Sequence, residues 1–308
     1  MQRLWLFAAA ALLWACANDF EKQSQVRKLR VLAVAAEPAE LIVQPDAGAL
    51  PATTLTALAV EPNGAQVATG FSLCDVQGQL LAPDVDCPGD AGLPLPDAGP
   101  QSARLDLNDP RVQAIVAQLA PGQDAGTGDA GTADGGSSGS PPAGVALLVG
   151  LEATASANPV PAGGSPLLDG GPQSLRGFTS VPLRLAAPDR PINHNPQLVD
   201  LQANGVPIAA DGTTRMRASA IATLLPVPAS DAKEPTPTGP ERLTYSFFAT
   251  DGSLSALRST DTTSTGEPGT ISVDWTAPPY PGSVRLWVVV RDDRGGAGWL
   301  IRDVQVTP

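Results

Sequence analysis

The residues able to do chemistry in this chain are few in type: one histidine, three cysteines, and 31 Asp and Glu against 19 Lys and Arg. His194 stands in Pro191-Ile192-Asn193-His194-Asn195-Pro196. A Ser-His-Asp hydrolase would need it as general base, but a polar, Pro-bounded segment joining two predicted domains reads as a solvated linker. One histidine also leaves a zinc enzyme short of nitrogen ligands, and no H-E-x-x-H occurs. Gly126-Thr127-Gly128-Asp129-Ala130-Gly131 satisfies G-x-G-x-x-G, and Gly135-Gly136-Ser137-Ser138-Gly139 satisfies G-x-S-x-G. A phosphate-binding fingerprint needs a strand feeding a helix, and a nucleophile elbow needs a strained strand-to-helix turn. Neither context surrounds these residues; a Gly-rich composition produces both matches. Acids are too plentiful for any spacing to single out a pair for glycoside hydrolysis. Asp-x-Gly steps leave weak calcium binding open, although Asp-Ala-Gly lacks the dense alternation of acids in an EF-hand loop. The chemistry points to a protein that is not an enzyme and holds no cofactor.

Cys16 is the residue whose placement is specific. Arg3 precedes the apolar run Leu4 to Trp14, which is too short for a bilayer span of about 20 residues but suits a cleavable signal segment. Small Ala15 sits directly before Cys16. Leu13-Trp14-Ala15-Cys16 resembles the lipobox of bacterial lipoproteins. The resemblance implies that residues 1–15 are a signal peptide, that Cys16 receives diacylglycerol, and that its new amine is acylated. Two or three acyl chains anchor durably where one gives marginal binding, at about 0.8 kcal/mol per buried CH₂. It also implies a lipid-anchored protein of the cell envelope, and Ala17 in place of Asp favours the outer membrane. Cys74 and Cys87 then remain as an even pair in an oxidising compartment, where a disulfide closing this short loop contributes about 3 kcal/mol.

Composition narrows the rest. The net charge is −12, and becomes −13 if Arg3 leaves with the signal peptide. An acidic chain repels phosphate backbones, so nucleic acid is not an expected partner; contact with a membrane must come from the lipid. With 31 Gly, 32 Pro, 4% aromatic and 16% charged residues in 308, a large conventional enzyme core is not expected.

Residues 16–28 read as the lipidated N-terminus and a tether. RVLAVAAEPAEL reads as a strand, TTLTALAVEPNGAQVATGFSLC as two strands about Glu61-Pro62-Asn63-Gly64, and GVALLVGLEA and SLRGFTSVPLRLA as two more. Asp-Ala-Gly recurs at 90–92, 97–99, 124–126 and 129–131 in tracts too poor in apolar side chains to offset their ordering entropy. Within them, DPRVQAIVAQLA predicts a short helix capped by Asp109 with Pro110 at its first position. The expectation is a β-sandwich over 29–187 with a disordered insertion at about 88–143.

In the second half, TTRMRASAIATLL alternates Met216, Ala218, Ala220 and Ala222 on one face. Leu243, Tyr245 and Phe247 are in phase, as are Ile271, Val273 and Trp275, and GSVRLWVVVRDDRGGAGWLIRDVQV predicts a hairpin turning at Arg291 to Gly296. LTYSFFATDGS, WTAP and SVRLWVVVRDDRGG with WLIRDVQV resemble the later strands of bacterial immunoglobulin-like and polycystic-kidney-disease-type domains. That resemblance covers roughly 195–308, and 29–187 more faintly, with the second domain expected over 188–308. It implies an all-β protein of two immunoglobulin-like antiparallel β-sandwiches that serves adhesion, spacing or display. Trp287 is out of phase with Val284, Leu286, Val288 and Val290, and shares a face with Arg285 and Arg291. An indole between two guanidiniums on an outer sheet face is a candidate patch for an envelope protein or a glycan, or for the other domain. The function expected is non-catalytic binding, adhesion or structural spacing in the envelope. The alternative is a carbohydrate-binding or carbohydrate-degrading surface lipoprotein with Trp287 as its platform.

Overall fold

The computed structural model describes residues 23–44, 48–62, 65–74, 92–119, 145–156, 173–187, 191–236, 239–263 and 265–308. Its first half contains β1 (Arg30–Glu37), β2 (Leu41–Val43), β3 (Ala52–Val60), β4 (Val67–Leu73), β5 (Leu93–Pro94), β6 (Asp97–Gly99) and β7 (Ser102–Asp106). Helix α1 (Pro110–Leu119), β8 (Val145–Ala155) and β9 (Gln173–Leu185) complete it. The second half contains β10 (Leu198–Ala203), β11 (Val206–Pro207), β12 (Arg215–Arg217), β13 (Ile221–Pro228), β14 (Pro235–Thr236) and β15 (Gly239–Pro240). It ends with β16 (Thr244–Ala249), β17 (Ser253–Leu254), β18 (Arg258–Thr260), β19 (Val273–Thr276), β20 (Gly282–Arg291) and β21 (Ala297–Thr307).

The two halves share the arrangement of their seven main strands, while the short strands between β4 and β7 and between β16 and β19 pair in opposite chain order. Sheet β1-β3-β7-β6 faces sheet β2-β9-β8-β4-β5, and sheet β11-β10-β13-β19-β17 faces sheet β12-β21-β20-β16-β18. In each half an early short strand pairs in parallel with the last one, β2 with β9 and β12 with β21, while the other ladders are antiparallel. An opening segment that divides between the two sheets is the immunoglobulin-like sandwich arrangement. The architecture is all-β, with α1 its one helix among the described residues. The alternation of β8 sends Leu147, Val149, Leu151 and Ala153 into the first core, where they meet Leu55, Ala57 and Leu105. Tyr245, Phe247, Val273 and Trp275 form the second core with Val284, Leu286, Val288 and Val290. The β10–β11 turn is Asn204-Gly205, both at positive φ (52° and 79°), the chemistry a two-residue hairpin turn requires.

Three expectations change. The stretch at 88–143 is not one disordered insertion: 92–119 forms β5, β6, β7 and α1. Ala103 and Leu105 reach the core from β7, and these were hidden because only two apolar side chains carry the alternation among Gly, Pro and Asp. Helix α1 begins where the spacing predicts, with Asp109 Oδ1 accepting the Arg111 N–H at 2.9 Å. TTRMRASAIATLL is two strands, β12 and β13, because Ser219 at φ 60° and an Ala220 N–H bond to the Arg217 carbonyl turn the chain between them. Alternation survives across the break because Met216 and Ala218 also pack on the second core.

The end of the expected tether is part of the fold. Val26 N–H donates to the Ala249 carbonyl at 2.8 Å and Ala249 N–H to the Ser24 carbonyl at 2.9 Å, so Ser24 to Val26 continue the second half's sheet beside β16. Gln25 adds a side-chain bond to the Gly252 carbonyl. Val26 is fully buried.

Candidate functional site

Of the residues that sequence reasoning singled out, Trp287, Arg291 and His194 lie at the junction between the halves. β20 is buried on both faces from Leu286 to Val290. One face belongs to the second core; on the other, Trp287 and Val289 pack with Val26, Leu32, Ala33 and Leu58, flanked by Phe248 and Trp299. A bulge in the β1–β3 ladder between Val31 and Ala33 turns two successive residues, Leu32 and Ala33, toward this seam. Phe248 stands opposite Trp287 in the β16–β20 register, and Ile301 opposite it on the β21 side.

Trp287 therefore lies on the outer face that its phase predicts, but it is 2% exposed and presents no surface to an external partner. The three-residue patch is taken apart. Arg291 donates Nη2–H to the Leu32 carbonyl at 2.7 Å, across the seam. Arg285 stays at the surface, paired with Asp303 through Nε and Nη2 at 2.8 and 2.9 Å, a bond that raises its pKa above the usual guanidinium value. The continuous run Leu286-Trp287-Val288-Val289-Val290 was the available signal, since a strand covered on both faces loses its alternation.

A second layer of the junction is ionic. Glu40, 3% exposed, receives the Arg184 fork: Nε to Oε2 and Nη2 to Oε1, both at 2.8 Å. Glu40 Oε1 also accepts the Asn193 backbone N–H at 2.7 Å and Arg294 Nη2–H at 3.1 Å. Arg294, from the β20–β21 turn, reaches Glu234 and Glu241 with Nη1 at 3.1 Å each. Glu40 and Arg184 belong to the first half, Glu234, Glu241 and Arg294 to the second, so one network ties both to the linker. Asn195 adds Nδ2–H bonds to the Ala36 carbonyl and Glu37, while its Oδ1 accepts the Ala297 N–H at 2.9 Å. His194 is exposed and its Nδ1 contacts Glu234, which makes it a peripheral member of the network.

Burial works to raise the Glu40 carboxyl, but the Arg184 bonds, the Asn193 N–H and the charges of Arg184 and Arg294 outweigh it and hold the pKa low. Glu241 goes the other way: burial raises it, and the neighbouring charges of Asp292 and Glu234 add to the rise. Asp292 is likewise raised by burial against its N–H bonds from Gly296 and Arg294. None of these residues was singled out in the sequence. Arg184 gives no sign of it in the sequence, because it alternates with the core residues Val181 and Leu183 and so reads as an ordinary outer-face charge that only the junction buries.

Among the described residues no group of three or more His, Cys, Asp or Glu side chains is placed to hold a metal ion. The Asp97-Ala98-Gly99 step is β6, exposed at a sheet edge. Likewise, among them no helix is long and apolar enough to cross a membrane. Cys16, Cys87, both glycine motif matches and the Asp-Ala-Gly steps at 90–92, 124–126 and 129–131, apart from Gly92 itself, lie outside the described residues. Cys74 is buried just past β4, and its sulfur is engaged.

The fold thus defines an all-β protein of immunoglobulin-like sandwich architecture. No family profile matches the chain, and no curated protein does. Among solved structures it is similar to the D00-D0 domain of intimin, with 11% identity over 90% of this chain and 100% of that one, at a TM-score of 0.25. It is also similar to SGBP-B of a Bacteroides ovatus mixed-linkage glucan utilization locus, with 12% identity over 91% of this chain and 47% of that one (TM-score 0.20). A third likeness is to a nucleoside hydrolase-related protein of Saccharophagus degradans, with 16% identity over 38% of this chain and 26% of that one (TM-score 0.25). The aligned part is about a quarter of the Saccharophagus protein and about half of the Bacteroides one. At these TM-scores none carries an argument about function.

Proposed function

We propose that this chain is a non-catalytic, membrane-anchored envelope lipoprotein, acylated on Cys16 after loss of residues 1–15, whose task is binding or structural spacing. The observation that supports spacing most directly is the junction. An apolar seam around Trp287 and an ionic network centred on Glu40 bind the two halves to each other, so that they act as one stiff body. The carbohydrate reading loses its platform with the burial of Trp287. His194 contacts Glu234 within a structural network, which suits a residue without a catalytic task. The proposed Cys74–Cys87 disulfide is supported by a buried Cys74 whose sulfur is engaged. Non-reducing peptide mapping should recover the two joined.

The test is the intact mass and partitioning of the full-length protein expressed in a bacterial host. Wild type should fractionate with membranes and carry the mass of diacylglycerol and an acyl chain on a chain beginning at Cys16. Cys16→Ser should be released from the membrane fraction. An unprocessed N-terminus with an unmodified Cys16 refutes the reading.

A further inference from the structure

Beside the seam, β1, β9, β16, β18 and β20 surround an open cleft of about 580 Å³. Its charged lining is Arg30, Arg258, Arg291 and Asp292, a cationic patch in a chain of net charge −12. Composition does not account for that reversal of sign. The one carboxylate is turned to the backbone, with Asp292 Oδ1 accepting the N–H groups of Arg294 and Gly296 at 2.9 and 2.7 Å. Arg30 donates to the Gln23 carbonyl at 2.5 Å. Arg291 is half-buried and gives Nη2–H to a carbonyl rather than a carboxylate. Arg258 is exposed nearby, and among the described residues neither of these two guanidiniums is ion-paired. Burial, and after it the charge of Arg258, pushes the Arg291 pKa down. Two unneutralised guanidiniums, one of them partly desolvated, repel each other unless an anion lies between them.

The remaining walls are of two kinds. Leu257 and Phe248 offer an apolar side, while Thr244 and Ser246 belong to the polar one. The volume falls in the range of about 300–1,000 Å³ usual for small-ligand sites. We propose that this cleft binds a small oxyanion-bearing ligand, a carboxylate or phosphate group on a compact body, with the oxyanion between Arg258 and Arg291 and the body against Phe248 and Leu257. Planar guanidinium forks match the paired oxygens of either group. The proposal stands on the cleft alone and does not depend on acylation of Cys16.

The test is isothermal titration of the full chain in non-ionic detergent, with inorganic phosphate and glucuronate as separate probes and ionic strength held constant with chloride. Saturable one-to-one binding is expected for at least one probe, and the tighter one tells a phosphate-bearing from a carboxylate-bearing ligand. Arg258→Gln should weaken it roughly tenfold without lowering the ligand-free melting temperature, since the Arg258 side chain has no ion pair to lose and its charge opposes that of Arg291. Arg291→Lys keeps the charge but removes the fork, and should weaken binding as well. No saturable binding of either probe, or binding that Arg258→Gln leaves unchanged, overturns the proposal.

Discussion

Replacing Trp287 by alanine measures how strongly the two halves are joined. The side chain is 2% exposed and lies between Phe248, Val289 and the β1 residues Leu32 and Ala33. A buried tryptophan removes about 150–250 Å² from water, which at about 25 cal/mol per Å² amounts to ~4–6 kcal/mol. Large-to-small replacements of this kind cost about 3–5 kcal/mol. The lower end applies here, because Phe248 also lines the neighbouring open cleft and water can enter the space left behind. A loss of about 3 kcal/mol in a cooperative unit of this size lowers the melting temperature by roughly 6–12 °C. Calorimetry of the full chain should show one transition for the wild type. Trp287→Ala should show an earlier transition that splits in two, because the damaged element is the link and not either core. Arg285→Ala is the control, since its pair with Asp303 is exposed and such pairs contribute below about 1 kcal/mol. If Trp287→Ala melts within a degree of wild type, the indole is not packed as described and the stiff-junction argument fails.

The ionic layer makes two further predictions. Glu40→Gln leaves Arg184 and Arg294 without their shared carboxylate and should destabilise the chain by about 3–5 kcal/mol, whereas the double change Glu40→Met with Arg184→Met should recover most of that loss in denaturant unfolding. The pH profile should have two limbs. A lowered Glu40 pKa means stability that is complete above the ordinary carboxylate range and is lost as pH falls through the still lower folded value. The raised pKa values of Asp292 and Glu241 mean a penalty that is full at neutral pH and lifts as pH falls through their folded values. Stability should therefore rise slightly on mild acidification before it collapses, and Asp292→Asn should flatten the neutral limb while leaving the acid one.

Phase made much of this legible in the sequence. Tyr245, Phe247, Val273 and Trp275 could be assigned to one core because a strand's period is two and its partners share a face. The same period put Trp287 on the opposite face, yet could not say what covers it, because the cover comes from β1 and from Val26, more than 200 residues away in the chain. The bulge that sends both Leu32 and Ala33 to the seam has no signature in an alanine-rich stretch. Short strands such as β5 and β6 have too few residues for any period to show, and their Pro, Asp and Gly content imitates disorder. The ionic network was hidden for a different reason. Each member is a single ordinary charge, and only the fold shows that Glu40, Arg184 and Arg294 are mutually buried.

The docked N-terminal segment sets where a lipid anchor would hold the molecule. A tether leading freely from Lys28 would have let the first half swing at the end of a flexible arm. Instead Ser24 to Val26 are fixed beside Ala249 and Gly252 of the second half, next to the seam. The eight steps from Cys16 to Ser24 reach at most ~28 Å when fully extended, so acylation at Cys16 would keep the junction, not one tip of the molecule, near the bilayer surface. Ala256 is exposed and four residues from Gly252, which makes Ala256→Cys a suitable site for a donor fluorophore in the full-length protein reconstituted into vesicles with acceptor-labelled headgroups. Energy transfer should be strong, and should fall when ten Gly/Ser residues are inserted between Ala17 and Asn18. Transfer that is weak from the outset, or indifferent to the insertion, would mean that the segment undocks at the membrane. The two halves would then be held by a longer and looser arm than the bonds at Ala249 imply.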